Sequence, residues 1–293
     1  MKLNELDTVC IVGLGLLGGS VGMAVNRALG RVRRVGYSHR AVTRRRAVEL
    51  GTVDMVCADL ADAVGRAQFV ILAVPVGTFP DLMRQMAEYL PDHCIVTDVG
   101  STKALPARWA RKFLPARVEF LGSHPMAGSE QRGVEFARDD LFDGANCIVT
   151  PTARTSRATL RFVGDFWRTL GMRVSHLGPA EHDRVLARIS HLPHVLATAL
   201  VNCSDEQQIA LCGKGFLDTT RIASGPPGVW RDILMTNTTN SAAAIGRLIK
   251  ELTRLQKALH TGNEKAIMRM LETAQKKRNN LVAEKLKRRE LPG

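Results

Sequence analysis

Hydrophobic residues in the first 178 positions alternate between two spacings. Unbroken apolar runs rich in β-branched residues predict strands at residues 8–12, 32–37, 69–74, 94–98, 118–121, 145–150 and 173–176. Apolar residues at helical spacing predict helices from a glycine turn to residue 29 and over residues 41–50, 78–89 and 103–113. This alternation is typical of an α/β protein with a Rossmann-type, doubly wound and mostly parallel sheet.

The strand pattern stops at Gly178 and Pro179, and only helical spacing follows. We therefore expect a dinucleotide-binding domain over residues 1–178 and an all-helical domain over residues 179–293 that binds substrate and mediates dimerisation. Apolar residues near the C-terminus offer more surface than two terminal helices can bury against each other, which predicts a homodimer. These residues are Leu248, Leu252, Leu255, Leu259, Ile267 and Leu271.

A G-x-G-x-x-G turn formed by Gly13, Gly15 and Gly18 follows the first predicted strand and opens the first predicted helix. The first glycine permits a tight turn, the second lets the backbone approach a pyrophosphate, and the third allows close packing of helix on strand. Leu16 and Leu17 begin the helix, whose free N–H groups would face the phosphates. This context predicts a nicotinamide dinucleotide, with a glycine turn that binds no ligand as the alternative.

The residues that close the second predicted strand bear on the choice between NAD and NADP. An acid at this position would accept a hydrogen bond from the adenosine ribose, but the sequence here is Tyr37, Ser38, His39 and Arg40. Ser38 and Arg40 can bind a 2′-phosphate, which an acid would repel. NADP is therefore favoured, while NAD bound through Ser38 stays open.

Two polar motifs follow predicted strand ends, at the sheet edge where ligands of doubly wound folds bind. Ser101 lies just after the strand at 94–98, and His124 lies in a loop of small residues after the strand at 118–121. A histidine can take a hydroxyl proton near neutral pH while the adjacent carbon gives up hydride. Ser101 could instead cap the helix that begins near Lys103.

These motifs resemble those of the prephenate and arogenate dehydrogenases, enzymes of tyrosine biosynthesis. The similar segments extend from residue 8 to about residue 235 and occur in the same order. They are the glycine turn, AVP at 73–75, GSTK at 100–103, GSHPMAGSE at 122–130, SHLPH at 190–194 and GFLDTTRIA at 215–223.

The resemblance implies roles for individual residues of this chain. His124 would accept the proton of the substrate hydroxyl, with Ser101 holding both hydroxyl and imidazole, while Val74 and Pro75 would line the cofactor site. Five further positions match the substrate pocket of the family. They are Glu130, His194, Asp218, Arg221 and Trp230.

Prephenate is a dianion, so a pocket that binds it needs cations and hydrogen-bond donors. Arg221 supplies a planar fork suited to a carboxylate. Its alternative role is a buried ion pair with Asp218, three residues earlier on the same helical face. Leu217 departs from the family, in which this position often carries Arg or Lys.

The implied reaction is the oxidative decarboxylation of prephenate to 4-hydroxyphenylpyruvate, with hydride transfer to NADP or NAD. Arogenate, in which an ammonium replaces the side-chain ketone, is the alternative substrate. A β-hydroxyacid dehydrogenase is a third possibility and would be expected to use a lysine of the helical domain as its base. The segment after residue 178 instead offers histidines and an arginine.

The net charge of +13 is concentrated in two places. Residues 246–293 hold 13 Lys and Arg against 5 Glu, and residues 31–46 hold seven Arg and no acid. The C-terminal charges lie between apolar positions at helical spacing, which indicates a solvated helix face. No aromatic residue follows Trp230, so stacking on bases is not expected and a small anionic substrate is the favoured partner over nucleic acid.

The remaining features predict a cytoplasmic protein. No apolar stretch reaches the length of about 18 residues needed to span a membrane, and Glu5 and Asp7 occupy a segment that would be positive in a secretory signal. The six cysteines are scattered without a C-x-x-C pair, which favours reduced thiols. No metal is expected, because His191 and His194 lack both metal-helix spacing and a third ligand.

Overall fold

The computed structural model describes residues 1–128 and 131–288, and it divides into two compact units, Met1–Thr238 and Thr239–Gly293. The first unit holds a six-stranded sheet in the order β3-β2-β1-β4-β5-β6 and a three-stranded sheet in the order β7-β8-β9. The strands of the larger sheet are β1 Thr8–Val12, β2 Arg33–Tyr37, β3 Met55–Cys57, β4 Phe69–Leu72, β5 Ile95–Asp98 and β6 Glu119–Phe120. Those of the smaller sheet are β7 Gly122–Pro125, β8 Asn146–Thr150 and β9 Arg173–His176.

All neighbouring strands of the six-stranded sheet are parallel. The strand order reverses between β1 and β4, and in doubly wound folds the ligand crevice lies at such a point, beyond the carboxyl ends of the strands. The predicted Rossmann-type sheet is therefore confirmed.

Helices cover the sheets and continue to the end of the described chain. In the first unit they are α1 Leu16–Ala28, α2 Ala41–Glu49, α3 Leu60–Val64, α4 Phe79–Met86, α5 Ala104–Phe113, α6 Arg157–Thr169, α7 Pro179–Leu186, α8 Leu192–Asn202, α9 Glu206–Ala210, α10 Lys214–Thr220 and α11 Pro227–Thr236. Two long helices follow, α12 Thr238–His260 and α13 Glu264–Lys287. A π-helical turn, Ala187–His191, joins α7 to α8.

Side chains on β1 alternate between two hydrophobic clusters. Val9 and Ile11 pack with residues of α1 and α6, while Cys10 and Val12 pack with residues of α3 and α4. Because both faces are covered, the central strands read as continuous apolar runs, which is why the sequence revealed them.

The prediction of a loop around His124 was wrong. Residues 122–125 form strand β7, which pairs antiparallel with β8 and places His124 opposite Ile148. The motif contains glycine, serine and proline instead of β-branched residues, so its extended conformation has no local signal. Strand β3 and helices α3 and α6 were also not predicted. β3 is a partly exposed, three-residue edge strand, and α3 has only five residues.

The second unit, considered by itself, consists of most of α12 and all of α13. Several of its large apolar side chains are more than half exposed in the isolated chain: Ile249, Leu252, Leu259, Met268, Leu271 and Leu281. Among the described residues, no helix combines the length and the apolar character needed to cross a membrane.

Candidate active site

The glycine turn after β1 packs against Ala73 and Val74, which follow β4. Gly13 has φ of +102°, and a Cβ there would lie 2.5 Å from both the Ala73 carbonyl oxygen and Val74 Cγ1. A Cβ at Gly18 would lie 1.8 Å from the Gly13 carbonyl oxygen. Neither position accepts a side chain, so these two glycines are required by the turn itself.

Gly15 differs from its neighbours, because a Cβ there would meet no atom within 4 Å. It is the N-cap of α1, makes no side-chain capping bond, and precedes Leu16 and Leu17 in the first turn. Open space before uncapped helix N–H groups fits the pyrophosphate of a dinucleotide. Val74, which follows β4, lies beside this turn at the point where the strand order reverses, and Pro75 is the next residue in the chain.

The end of β2 is shaped by two arginines. Ser38 is buried, its Oγ accepts a hydrogen bond from the Arg40 backbone N–H at 3.3 Å, and its carbonyl accepts one from Arg44 Nη1 at 2.6 Å. Arg40 is the N-cap of α2 and is exposed. The Arg44 guanidinium is therefore held at the end of β2, where the adenosine ribose of a dinucleotide would lie, and Arg40 begins the helix that follows.

His124 is the first member of a hydrogen-bonded chain of three buried side chains. Its Nδ1 lies 2.9 Å from His182 Nε2, and His182 Nδ1 lies 2.8 Å from Asp183 Oδ1. The Asp183 carboxylate also accepts bonds from the backbone N–H groups of Lys103 at 2.7 Å and Ala104 at 2.9 Å.

The order of donors and acceptors in this chain follows from its acidic end. A carboxylate held by backbone donors accepts from His182 Nδ1–H, so His182 Nε2 must accept from His124 Nδ1–H. His124 Nε2 is then left without a proton. The three residues thus hold His124 as a neutral base with its lone pair on Nε2.

Electrostatics reinforce the neutral state of His124. Burial lowers its pKa well below the ordinary value of 6.5, and the nearby His182, Lys103 and His191 add to the decrease. Burial also lowers the pKa of His182, although its hydrogen bond to Asp183 opposes the shift. His124 therefore stays unprotonated throughout the neutral range.

A buried ion pair fixes the strand that carries His124. Lys103 Nζ contacts Asp98 Oδ2 and donates to the Ser123 carbonyl at 2.7 Å, while Asp98 Oδ1 accepts from the Ser123 backbone N–H at 3.3 Å. Burial raises the pKa of Asp98 and lowers that of Lys103, and the charge of each partner opposes the shift of the other. The pair ties β7, which carries His124, to the carboxyl end of β5, and β5 lies two strands from β1 and the glycine turn that follows it.

Helix α11 packs on the turn that follows β4 and on the segment that follows β5. A Cβ at Gly77, in the turn after β4, would lie 2.5 Å from Asp232 Oδ2, and the hydroxyls of Thr102 and Thr236 are 2.8 Å apart. Trp230 projects from the same helix and stacks on the His194 ring, with centroids 3.6 Å apart and planes at 7°.

A glycine is required beside this aromatic stack. A Cβ at Gly225 would lie 2.5 Å from Trp230 Nε1 and 3.2 Å from His194 Cε1. Within the described residues, the buried Nδ1 of His194 has no hydrogen-bond partner, and burial lowers the pKa of this histidine. The two rings form a flat, partly apolar wall.

The other predicted site residues are more exposed. Arg221 is exposed at the start of a short 3₁₀ helix, Arg221–Ser224. Asp218 is exposed as well and pairs with Lys214 at 3.2 Å, so the structure does not show the buried Arg221–Asp218 pair considered as an alternative. Glu130 lies outside the described residues.

Ser101 is half-buried, and its alternative role as a helix cap is not observed. The N-cap of α5 is Lys103, and the first N–H groups of this helix are satisfied by Asp183 from α7. A carboxylate from elsewhere in the chain does the capping, which leaves the Ser101 hydroxyl available to a ligand.

Sequence reasoning missed Asp183 and did not select His182. The available signal was an adjacent histidine and aspartate in the first turns of a helix that begins with Pro179. Adjacent residues on a helix rarely act together, so only the tertiary structure shows that one carboxylate serves both His182 and α5. Among the described residues, no group of three His, Cys, Asp or Glu side chains could hold a metal ion.

A sheet of this strand order, with a glycine turn closed in this way, is typical of dinucleotide-binding proteins. A neutral imidazole near the same sheet edge is the group needed to remove a proton from a carbinol whose carbon gives up hydride. The chain is therefore a nicotinamide-dependent dehydrogenase. It belongs to the prephenate dehydrogenase family: the model of the nucleotide-binding domain of that family matches residues 21–176, and the model of its dimerization domain matches residues 178–273.

Individual relatives agree with this assignment. The chain is 32% identical to prephenate dehydrogenase of Bacillus subtilis over 287 residues, which cover 95% of this chain and 77% of the relative. The structure of Aquifex aeolicus prephenate dehydrogenase in complex with hydroxyphenyl propionate and NAD+ matches with a TM-score of 0.89 and 33% identity, covering 96% of this chain and all of that one. Synechocystis arogenate dehydrogenase matches with a TM-score of 0.80 and 27% identity, covering 94% of this chain and 99% of that one.

Proposed function

We propose that this protein catalyses the oxidative decarboxylation of prephenate to 4-hydroxyphenylpyruvate in tyrosine biosynthesis. The observation that carries the proposal is the chain from Asp183 through His182 to His124, which holds an unprotonated Nε2 near the edge of a dinucleotide-binding sheet. Membership of the prephenate dehydrogenase family supports the choice of substrate.

In the proposed reaction, His124 Nε2 accepts the proton of the ring hydroxyl. A bound nicotinamide would supply the acceptor for the hydride that leaves the carbon bearing this hydroxyl. The resulting carbonyl withdraws the electron pair of the bond to the ring carboxylate, carbon dioxide leaves, and the ring becomes aromatic. The protein thus needs to position one base and hold a dianion, while the gain of aromaticity drives the loss of carbon dioxide.

The substrate contacts form part of the same proposal. Arg221 would bind a carboxylate, Ser101 would hold the ring hydroxyl, and His194 with Trp230 would face the ring. Exposure of Arg221 supports its role, because a charged side chain at the surface can meet an entering anion. Glu130 and Asp218 remain proposed pocket residues through the resemblance of their motifs to the family.

The function is tested by following the absorbance of reduced nicotinamide with prephenate and with arogenate, each offered with NAD and with NADP. Turnover of prephenate above that of arogenate is the expected result. A preference for arogenate would transfer the proposal to the amino-acid substrate. Turnover of neither compound, with oxidation of a β-hydroxyacid, would overturn it.

We further propose that NADP is preferred, because Arg44 is fixed at the end of β2 and Arg40 is beside it. A guanidinium bound to the 2′-phosphate at a partly exposed site should favour NADP by about ten- to a hundredfold. Replacement of Ser38 by Asp together with Arg40→Ala is expected to reverse the ratio of kcat/KM for the two cofactors. A wild-type enzyme that prefers NAD would contradict the proposal before any variant is made.

A homodimer formed through the helical part of the chain is also proposed, with the predicted division at residues 178 and 179. The matched dimerization-domain model and the exposed leucines of α12 and α13 support it. Light scattering at micromolar concentration should give about twice the chain mass of 32.1 kDa. Leu252→Glu with Leu259→Glu should lower that mass, and a monomeric wild type would refute the dimer.

The proposed location is the cytoplasm. All six cysteines are free thiols in the structure, which suits a reducing compartment.

A further inference from the structure

The π-helical turn between α7 and α8 ends in a buried histidine that the proposed mechanism does not use. His191 is 1% exposed, and within the described residues its Nε2 has no hydrogen-bond partner. Pro193 accounts for the irregular turn, because it lacks the N–H that would bond to the Ile189 carbonyl. Such turns occur frequently at functional sites.

The tautomer of His191 is set by Asn237. The Asn237 side-chain nitrogen donates to the Asp183 carbonyl at 2.7 Å and lies 3.3 Å from His191 Nδ1. The carbonyl partner requires the amide nitrogen in this position, so the amide also donates to His191 Nδ1. The proton of a neutral His191 must then reside on Nε2.

His191 is neutral in the range where the enzyme would act. Burial lowers its pKa to about 4, against the opposing effect of Asp183. The ring therefore offers a directed, uncharged N–H donor, and a donor buried without an acceptor is costly. A group that binds in the pocket would remove this cost by accepting the hydrogen bond.

His191 lies beside the aromatic wall of the proposed substrate pocket. Its ring meets Trp230 edge-on, with centroids 6.3 Å apart and planes at 85°, and Trp230 stacks on His194. Its partner Asn237 holds the backbone of Asp183, the residue that orients His182 and hence His124. Asn237 and Asp183 thus help to orient both the proposed base, His124, and the donor of His191.

We infer that His191 is a substrate-binding residue whose Nε2–H donates a hydrogen bond to an oxygen of the bound substrate. This inference rests on the proposed function, because prephenate presents only acceptors on its carboxylates and ketone. The fixed tautomer gives the role its specificity: His191 supplies a donor where His124 supplies an acceptor. A histidine that only supported packing would have no need of a free Nε2–H.

Two substitutions separate the binding role from a structural one. In His191→Asn, the amide oxygen can take the place of Nδ1 and keep the bond to Asn237, but nothing replaces Nε2–H. In His191→Gln, the amide nitrogen can reach the position of Nε2 and keep the donor, but the bond to Asn237 is lost. If Nε2 binds substrate, the Gln variant should keep a KM for prephenate closer to the wild-type value than the Asn variant does. If the role of His191 is structural, the Asn variant should be closer to the wild type.

The experiment measures KM for prephenate, KM for the cofactor, kcat and the melting temperature of the wild type and both variants. His191→Asn is expected to raise KM for prephenate by about 10- to 100-fold, with KM for the cofactor unchanged. His191→Gln is expected to stay within about threefold of the wild-type KM while it melts at a lower temperature. The reverse order of the two KM values, or equal values, would overturn the inference.

A measurement on the wild type covers the case in which the variants do not fold. With ¹⁵N-labelled histidine, the Nε2–H signal of His191, assigned by its contacts to the Trp230 ring, should shift when hydroxyphenyl propionate binds. An unchanged signal under saturating ligand would also overturn the inference. Absence of turnover with prephenate and arogenate would instead overturn the proposed function, so the two failures are distinguishable.

Discussion

His124→Asn is expected to lower kcat by about 10²–10⁴-fold, the range typical of a lost general base, with little change in KM for the cofactor. The asparagine amide can take the place of His124 Nδ1–H and donate to His182 Nε2, which lies 2.9 Å from Nδ1 in the wild type. The substitution therefore keeps the buried hydrogen bond and removes only Nε2. Steady-state kinetics with prephenate, together with titration of the cofactor, measure both effects.

The pH dependence of the wild type is the control for this assignment. Because burial lowers the pKa of His124 well below 6.5, the active neutral form persists as the pH falls through 6.5. The acid limb of kcat/KM should accordingly lie below that pH and should be absent from the residual activity of His124→Asn. An acid limb above pH 7, or a variant within threefold of wild-type kcat, would rule out His124 as the base.

Arg221→Ala is expected to raise KM for prephenate by about a hundredfold or more, because a charge-assisted, bidentate contact with a carboxylate is lost. Arg221 is an exposed residue, so its replacement should lower the melting temperature less than the loss of a buried residue would. Arg221→Lys should recover only part of the affinity, since an ammonium cannot make the forked contact. Initial rates over a range of prephenate concentrations provide the comparison.

A matched control is available on α7. Arg184 pairs with Glu181 on the surface at 3.6 Å, so Arg184→Ala removes the same charge from the exposed face of this helix, outside the proposed pocket. Its KM should equal that of the wild type. An unchanged KM in Arg221→Ala, with a lowered melting temperature, would assign Arg221 to structural support.

Much of the fold could be predicted from local sequence patterns, because the central strands are buried on both sides. Strands β1 and β4 were visible as apolar runs, and the turn at Gly13 was visible from its glycine spacing. The extended conformation of residues 122–125 was not, because it depends on antiparallel pairing with β8 and on the buried contact of Lys103 with Ser123. Neither interaction can be predicted from the residue types at positions 122–125.

From the sequence, the doubly wound sheet and the cofactor turn could be predicted and His124 could be proposed as the base, because each of these rests on residues close together in the chain. Only the tertiary structure shows how the proposed base is oriented, because His182, which contacts His124, lies 58 residues later in the chain and is itself held by Asp183. Hydrogen bonds of this kind depend on distance and direction in space, to which spacing along the chain gives no guide. For the same reason, the contact of Asn237 with His191 could not be predicted from the sequence. The two residues meet because the end of α11 packs beside the π-helical turn.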